Sequence, residues 1–151
     1  MSDSLSHTLL TRVGSAQPDN VLVQGRVSAD FMVNGESLLR ALVQANGGHS
    51  DFMGCFVAGL PDFNQRSANE LLMKSTPDAD GTGALLYICP ECGDIACGAY
   101  SVRVRREATA YVWSDFAYVK GYEASRPIHD VGPFTFSAVQ YEHAIASASA
   151  L

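Results

Sequence analysis

Apolar and polar positions alternate most clearly between residues 84 and 118. Ala84-Leu-Leu-Tyr-Ile-Cys89, Ala99-Tyr-Ser-Val-Arg-Val-Arg-Arg106 and Ala110-Tyr-Val-Trp-Ser-Asp-Phe-Ala-Tyr118 are rich in aromatic and β-branched residues and predict three strands. A two-residue loop at Glu107-Ala108 would set Val104 opposite Tyr111 and Val102 opposite Trp113. Those four then share one face, with Arg103 and Arg105 on the other. The result is a three-stranded antiparallel meander.

Upstream, residues 21–27 and 29–33 predict two strands. Asn34 is placed to cap a helix. In that helix Leu38, Leu39, Leu42 and Val43 form one apolar stripe, and Asn46-Gly47-Gly48 ends it. Residues 51–58 read as a short buried strand and 61–65 as a turn. Residues 67–75 read as a second helix burying Ala68, Leu71 and Leu72. Residues 121–132 read as a loop and 133–136 as an extended segment. Ser137 and Gln140 fit a capping box that opens a third helix, with Ala138, Tyr141, Ile145 and Ala148 as its stripe. The pattern predicts an α+β fold: an antiparallel sheet with about three helices packed mainly on one face. Residues 1–20 are polar, contain Pro18 and lack periodicity. They read as a loose arm, or a short first strand, before a single domain over 21–151.

Composition narrows the function. The 151 residues are 47% hydrophobic and 17% charged, which fits one globular domain and argues against bulk disorder. A net charge of −6 disfavours phosphate backbones and suits a basic protein partner. No apolar run approaches the roughly twenty residues of a membrane span. Met1-Ser-Asp-Ser-Leu-Ser-His7 has no signal-peptide pattern, so the expected setting is the cytoplasm.

Candidate chemistry is concentrated in Cys89-Pro-Glu-Cys92-Gly-Asp-Ile-Ala-Cys97-Gly98, which holds three of the four cysteines. A Cys-x-x-Cys turn aims two thiolates at one point. Cys97 can add a third ligand, and Cys55 or His49 a fourth, giving a structural zinc site. The same turn can instead be a packed strand connection, or a redox pair of Cys89 and Cys92. A strand rather than a helix follows the second cysteine, so thiol activation by a helix N-terminus is missing. With Trp113-Ser-Asp-Phe116 and Val131-Gly-Pro-Phe-Thr-Phe136, this stretch resembles a group of uncharacterised bacterial proteins that carry Cys-Pro-Glu-Cys-Gly-Asp-x-x-Cys-Gly and Val-Gly-Pro-Phe-x-Phe. The resemblance covers about residues 50 to 145. It implies that the turn is a shared feature and brings no established activity.

Other motifs are incomplete. Asp78-Ala-Asp80-Gly81 lacks the later ligands of a calcium loop. Gly81-Thr-Gly83 lacks the remainder of any phosphate-binding fingerprint. His129-Asp130 is an isolated pair. Tyr118, Tyr122 and Glu123 lie where a strand leaves the sheet, a place suited to partner-binding anchors. The expected function is a non-catalytic protein-binding module, such as an immunity or inhibitor protein that masks a toxin or enzyme. The alternative is a zinc- or thiol-dependent protein working through the Cys89–Cys97 turn.

Overall fold

The computed structural model describes residues 2–13, 15–16, 22–23, 25–76, 83–91, 97–121 and 123–151, with the backbone alone at 15–16 and 22–23. In chain order the elements are β1 (Leu5–Arg12), β2 (Ser15–Ala16), β3 (Leu22–Val23), β4 (Arg26–Val33), β5 (Glu36–Ser37) and α1 (Leu38–Asn46). There follow β6 (Met53–Gly54), α2 (Pro61–Leu71), β7 (Ala84–Ile88), β8 (Ala99–Glu107) and β9 (Ala110–Val119). The chain ends with β10 (Arg126–Pro127), β11 (Phe134–Ser137) and α3 (Ala138–Ser149). The fold is α+β, with three helices beside antiparallel sheets.

The first sheet runs β1-β4-β5. β1 pairs with β4 over its full length, from Leu5 opposite Val33 to Arg12 opposite Arg26. Of the two readings of residues 1–20, a loose arm or a short first strand, residues 5–12 follow the second: they are a sheet strand, and long-range pairing supplies what local pattern lacks. The two strands expected over 21–33 are one strand where they meet, because Ser28 stays in register opposite Leu10. Asn34 and Gly35 both have positive φ, 54° and 82°. They form a two-residue hairpin turn, for which Asn-Gly is the strongest short signal. Asn34 therefore does not cap α1. Its side chain accepts from the Ser4 N–H at 2.9 Å and donates to Asp3 Oδ1 at 3.0 Å. Ser37 caps the helix instead, its Oγ accepting from the Arg40 N–H at 3.1 Å.

The second sheet runs β10-β9-β8-β7-β6, with β11 also on β9. The meander over 84–118 is present. Its tight turn is Ala108-Thr109, one residue later than expected, with Glu107 opposite Ala110 and Val104 opposite Trp113. The slip of two in register leaves every side chain on its expected face. Val102 and Trp113 are buried and Arg103 and Arg105 exposed. Between Ser101–Ala117 and Arg103–Ser114, two residues of β9 face one of β8. Asp115 sits in this bulge at φ 52°, a conformation aspartate tolerates better than most residues.

Backbone bonds join the sheets: the Ala29 N–H donates to the Phe56 carbonyl at 2.9 Å and the Ala58 N–H to the Val27 carbonyl at 2.8 Å. The core forms between them. Trp113 meets Phe31 and Phe136 edge-on, each at 5.3 Å. Its indole N–H donates to the Tyr141 hydroxyl at 3.0 Å, which donates to the Leu71 carbonyl at 2.6 Å. Both polar tips are thus satisfied where burial would otherwise penalise them. α2 begins at Pro61, not at 67: proline at the first helical turn needs no N–H donor. The α3 stripe of Ala138, Tyr141, Ile145 and Ala148 is buried as expected, with Ala144 added.

Candidate functional site

The cysteine turn leaves β7 at half-buried Cys89 and enters β8 through exposed Cys97 and buried Gly98. Cys92 lies outside the described residues. Cys55 belongs to the main core, and burial pushes its thiol well above the ordinary value of 9.0. The β6–β7 pairing ends at Gly54–Tyr87, one residue before Cys55, while Cys89 follows the other end of β7. His49 is exposed, stacks on Phe52 with ring centroids 4.9 Å apart, and accepts the Asp51 N–H on Nδ1 at 3.2 Å. Among the described residues no three of His, Cys, Asp and Glu gather closely enough to hold a metal ion.

Two arginines hold the turn. Arg12 grips Asp51 with Nε to Oδ1 at 2.9 Å and a second guanidinium nitrogen to Oδ2 at 3.0 Å. Its remaining terminal nitrogen donates to Glu91 at 2.8 Å. Hydrogen bonds first to Asp51 and then to Glu91 raise the Arg12 pKa further. Arg26, its register partner across β1–β4, donates to the Pro90 carbonyl at 3.4 Å. Like charges face each other there because each has its own acceptor.

Beside the turn runs a row of rings. Phe52 lies 5.0 Å from Tyr100, Tyr100 lies 5.4 Å from Tyr118, and the Arg126 guanidinium stands 5.7 Å over Tyr118. Sheet register builds this row. Tyr100 is opposite Tyr118 on β8–β9, and Tyr118 is opposite Arg126 on β9–β10. Asn46, the last residue of α1, ties the ends together: its amide donates to the Tyr100 hydroxyl at 3.3 Å and accepts from Arg126 at 3.2 Å. Gly98 completes the packing. A Cβ there would run into the Tyr118 hydroxyl and ring, so only glycine lets Tyr118 lie against the end of the cysteine turn.

Tyr118 is therefore placed, half-buried, at the outer end of the row. Glu123 is exposed in the turn after β9, its N–H donating to the Lys120 carbonyl at 3.1 Å. Tyr122 lies outside the described residues, as do Asp78, Asp80 and Gly81. His129 and Asp130 are exposed. Arg126 and Asn46 escaped sequence reasoning: cross-strand register brings Arg126 to Tyr118, and the end of α1 brings Asn46 to Tyr100 and Arg126.

Asp30 is the single buried carboxylate among the described residues. It accepts from the Tyr87 and Ser37 hydroxyls, each at 2.6 Å, and from the Leu39 N–H at 3.5 Å at the α1 N-terminus. These bonds hold β4, β7 and the start of α1 together.

No protein-family model, curated protein or solved structure matches the chain.

Proposed function

We propose that this chain is a non-catalytic protein-binding module whose contact surface centres on Tyr118, with Glu123 at its rim. The supporting observation is the ring row ending in Tyr118. An aromatic side chain held between Gly98, Tyr100 and Arg126 is already ordered, so little freedom is lost on binding. Tyrosine and arginine are also the residue types that dominate interface energetics. Arg126 spends its charge on Tyr118 and Asn46, which leaves Glu123 to meet a basic partner. The net charge of −6 favours the same class of partner through long-range steering. An immunity or inhibitor protein that masks a basic toxin or enzyme cleft in the cytoplasm fits this description. No helix among the described residues is long and apolar enough to cross a membrane.

Affinity capture from the native host tests the reading when wild type is compared with Glu123→Arg and Tyr118→Ala. A protein held by wild type should bind the Tyr118→Ala variant about 30-fold more weakly or worse. Equal capture by all three would remove the surface from consideration.

The competing reading is a structural zinc or thiol role for Cys89, Cys92 and Cys97. It is supported by the two thiols that flank one turn. Metal analysis of protein purified without chelator separates the two. One zinc per chain, lost in Cys89→Ser, supports the metal reading. Metal-free protein with unchanged folding leaves Arg12 and Arg26 as the clip of the turn.

A further inference from the structure

β1 is an edge strand, and the hydrogen bonds around it show which of its backbone groups are used. β4 reaches β1 through even-numbered residues. The Asn34 N–H donates to the Ser4 carbonyl at 2.9 Å, and register continues through Ser6–Met32, Thr8–Asp30 and Leu10–Ser28. On its far side β4 uses odd residues, Ala29 as donor and Val27 as acceptor. Alternation therefore turns the N–H and C=O of Leu5, His7, Leu9 and Thr11 to the outer edge of β1. Gln140 caps the Leu5 pair: its Oε1 accepts the N–H at 3.0 Å and its Nε2 donates to the carbonyl at 2.5 Å. Nothing among the described residues pairs with the outward groups of His7, Leu9 and Thr11.

The usual protection of such an edge is missing. The strand contains no proline, lysine or bulge, and its one formal charge, Arg12, is engaged by Asp51 and Glu91. Leu9 is 58% exposed and Val13, just beyond it, 79% exposed.

We propose that a second copy of this chain pairs with β1 edge to edge, extending the β1-β4-β5 sheet across a two-fold axis at Leu9. Self-complementarity selects this occupant. The antiparallel register that uses every open group and no capped one sets Leu9 against the second copy's Leu9, and His7 against its Thr11. The two Leu9 side chains then cover each other on one face, removing the exposed apolar surface from water. Gln140 ends the pairing at Leu5 and so fixes its extent. Each chain carries −6, so association strengthens as salt screens the repulsion.

Sedimentation equilibrium of the full chain tests this. Mass should rise with concentration from 16.1 kDa towards twice that value, more readily at higher salt. Leu9→Pro deletes an N–H that faces the open edge and not β4, so the strand is retained while dimerisation weakens by about 10-fold or more. Leu9→Lys should act likewise through charge. In a Cys97→Ser background, Leu9→Cys should give a covalent dimer on mild oxidation. Hydrogen-bonded partners with Cα atoms about 5.5 Å apart suit a disulfide. A chain that stays monomeric at all concentrations would overturn the proposal, as would a dimer indifferent to both Leu9→Pro and Leu9→Lys.

Discussion

At the scale of single residues, the glycines of the recognisable motifs answer to packing. Gly98 closes the cysteine motif with φ 117°, and Tyr118 occupies the space of its missing Cβ. Gly132 has φ 75°, and a Cβ there would stand 2.8 Å from the Phe116 ring. The Trp-Ser-Asp-Phe and Val-Gly-Pro-Phe-Thr-Phe motifs therefore meet each other, with Phe116 and Phe134 edge-on at 5.9 Å. Gly98→Ala should cost about 2–3 kcal/mol through steric conflict and backbone strain, measured by urea unfolding. Tyr118→Ala should relieve the steric part, so the double variant should cost about 1 kcal/mol less than the two singles summed. Strict additivity would show that the strain lies elsewhere. Tyr87→Phe tests the buried polar network. The Phe31 N–H, which donates to the Tyr87 hydroxyl at 3.1 Å, would lose its acceptor, and Asp30 would lose a donor. A loss of about 2–3 kcal/mol is expected from the same unfolding measurement.

Among the elements, Gln140 shows a local rule redirected by tertiary structure. Ser137 does cap α3, accepting the Gln140 N–H at 3.3 Å. The Gln140 side chain does not return to the helix start as a capping box requires. It bonds both backbone groups of Leu5, 135 residues away in sequence. Gln140→Ala should cost about 1–2 kcal/mol and speed hydrogen exchange at the Leu5 amide. Ser137→Ala should cost about 1 kcal/mol while that amide stays protected. Equal exchange at Leu5 in both variants would deny Gln140 its separate role. The same contrast marks what was legible in the sequence. The stripes of α1 and α3 and the alternation of β7, β8 and β9 survive because each is a local period that ends up against one core. Leu5–Arg12 was obscure because its burial does not alternate cleanly, and only pairing with β4 makes it a strand. Asn34 and Pro61 carried signals that suit either a turn or a helix start, and local spacing does not choose between them. For the site, Tyr118 was visible as an aromatic at a strand end. Arg12 and Arg126 were not, because their partners are set by register and by contacts 39 to 80 residues distant.

Across the whole molecule, one core gathers three weak acids with no cation beside them among the described residues. Burial is the leading cause that pushes the Cys55 thiol and the Tyr87 and Tyr141 hydroxyls upward, from ordinary values of 9.0, 10.0 and 10.0. In the unfolded chain each proton leaves near its ordinary value, whereas the folded chain keeps it. Below pH 9 both states are protonated and these groups give stability no slope. Above it the folded state holds more protons, so stability must fall as pH rises. Each group contributes up to about 1.4 kcal/mol per pH unit. Cys55 therefore starts the decline near pH 9, and the tyrosines steepen it to about 4 kcal/mol per unit beyond pH 10. By pH 11 the loss reaches about 5 kcal/mol, enough to unfold a domain at the lower end of the usual 5–15 kcal/mol of total stability. Urea unfolding between pH 8 and 11 reads the profile directly. Cys55→Ala should flatten it between 9 and 10 and leave the steeper limb in place. Stability that stays level from pH 9 to 11 would mean that water reaches these groups in the folded state, and that the core between the two sheets is not closed.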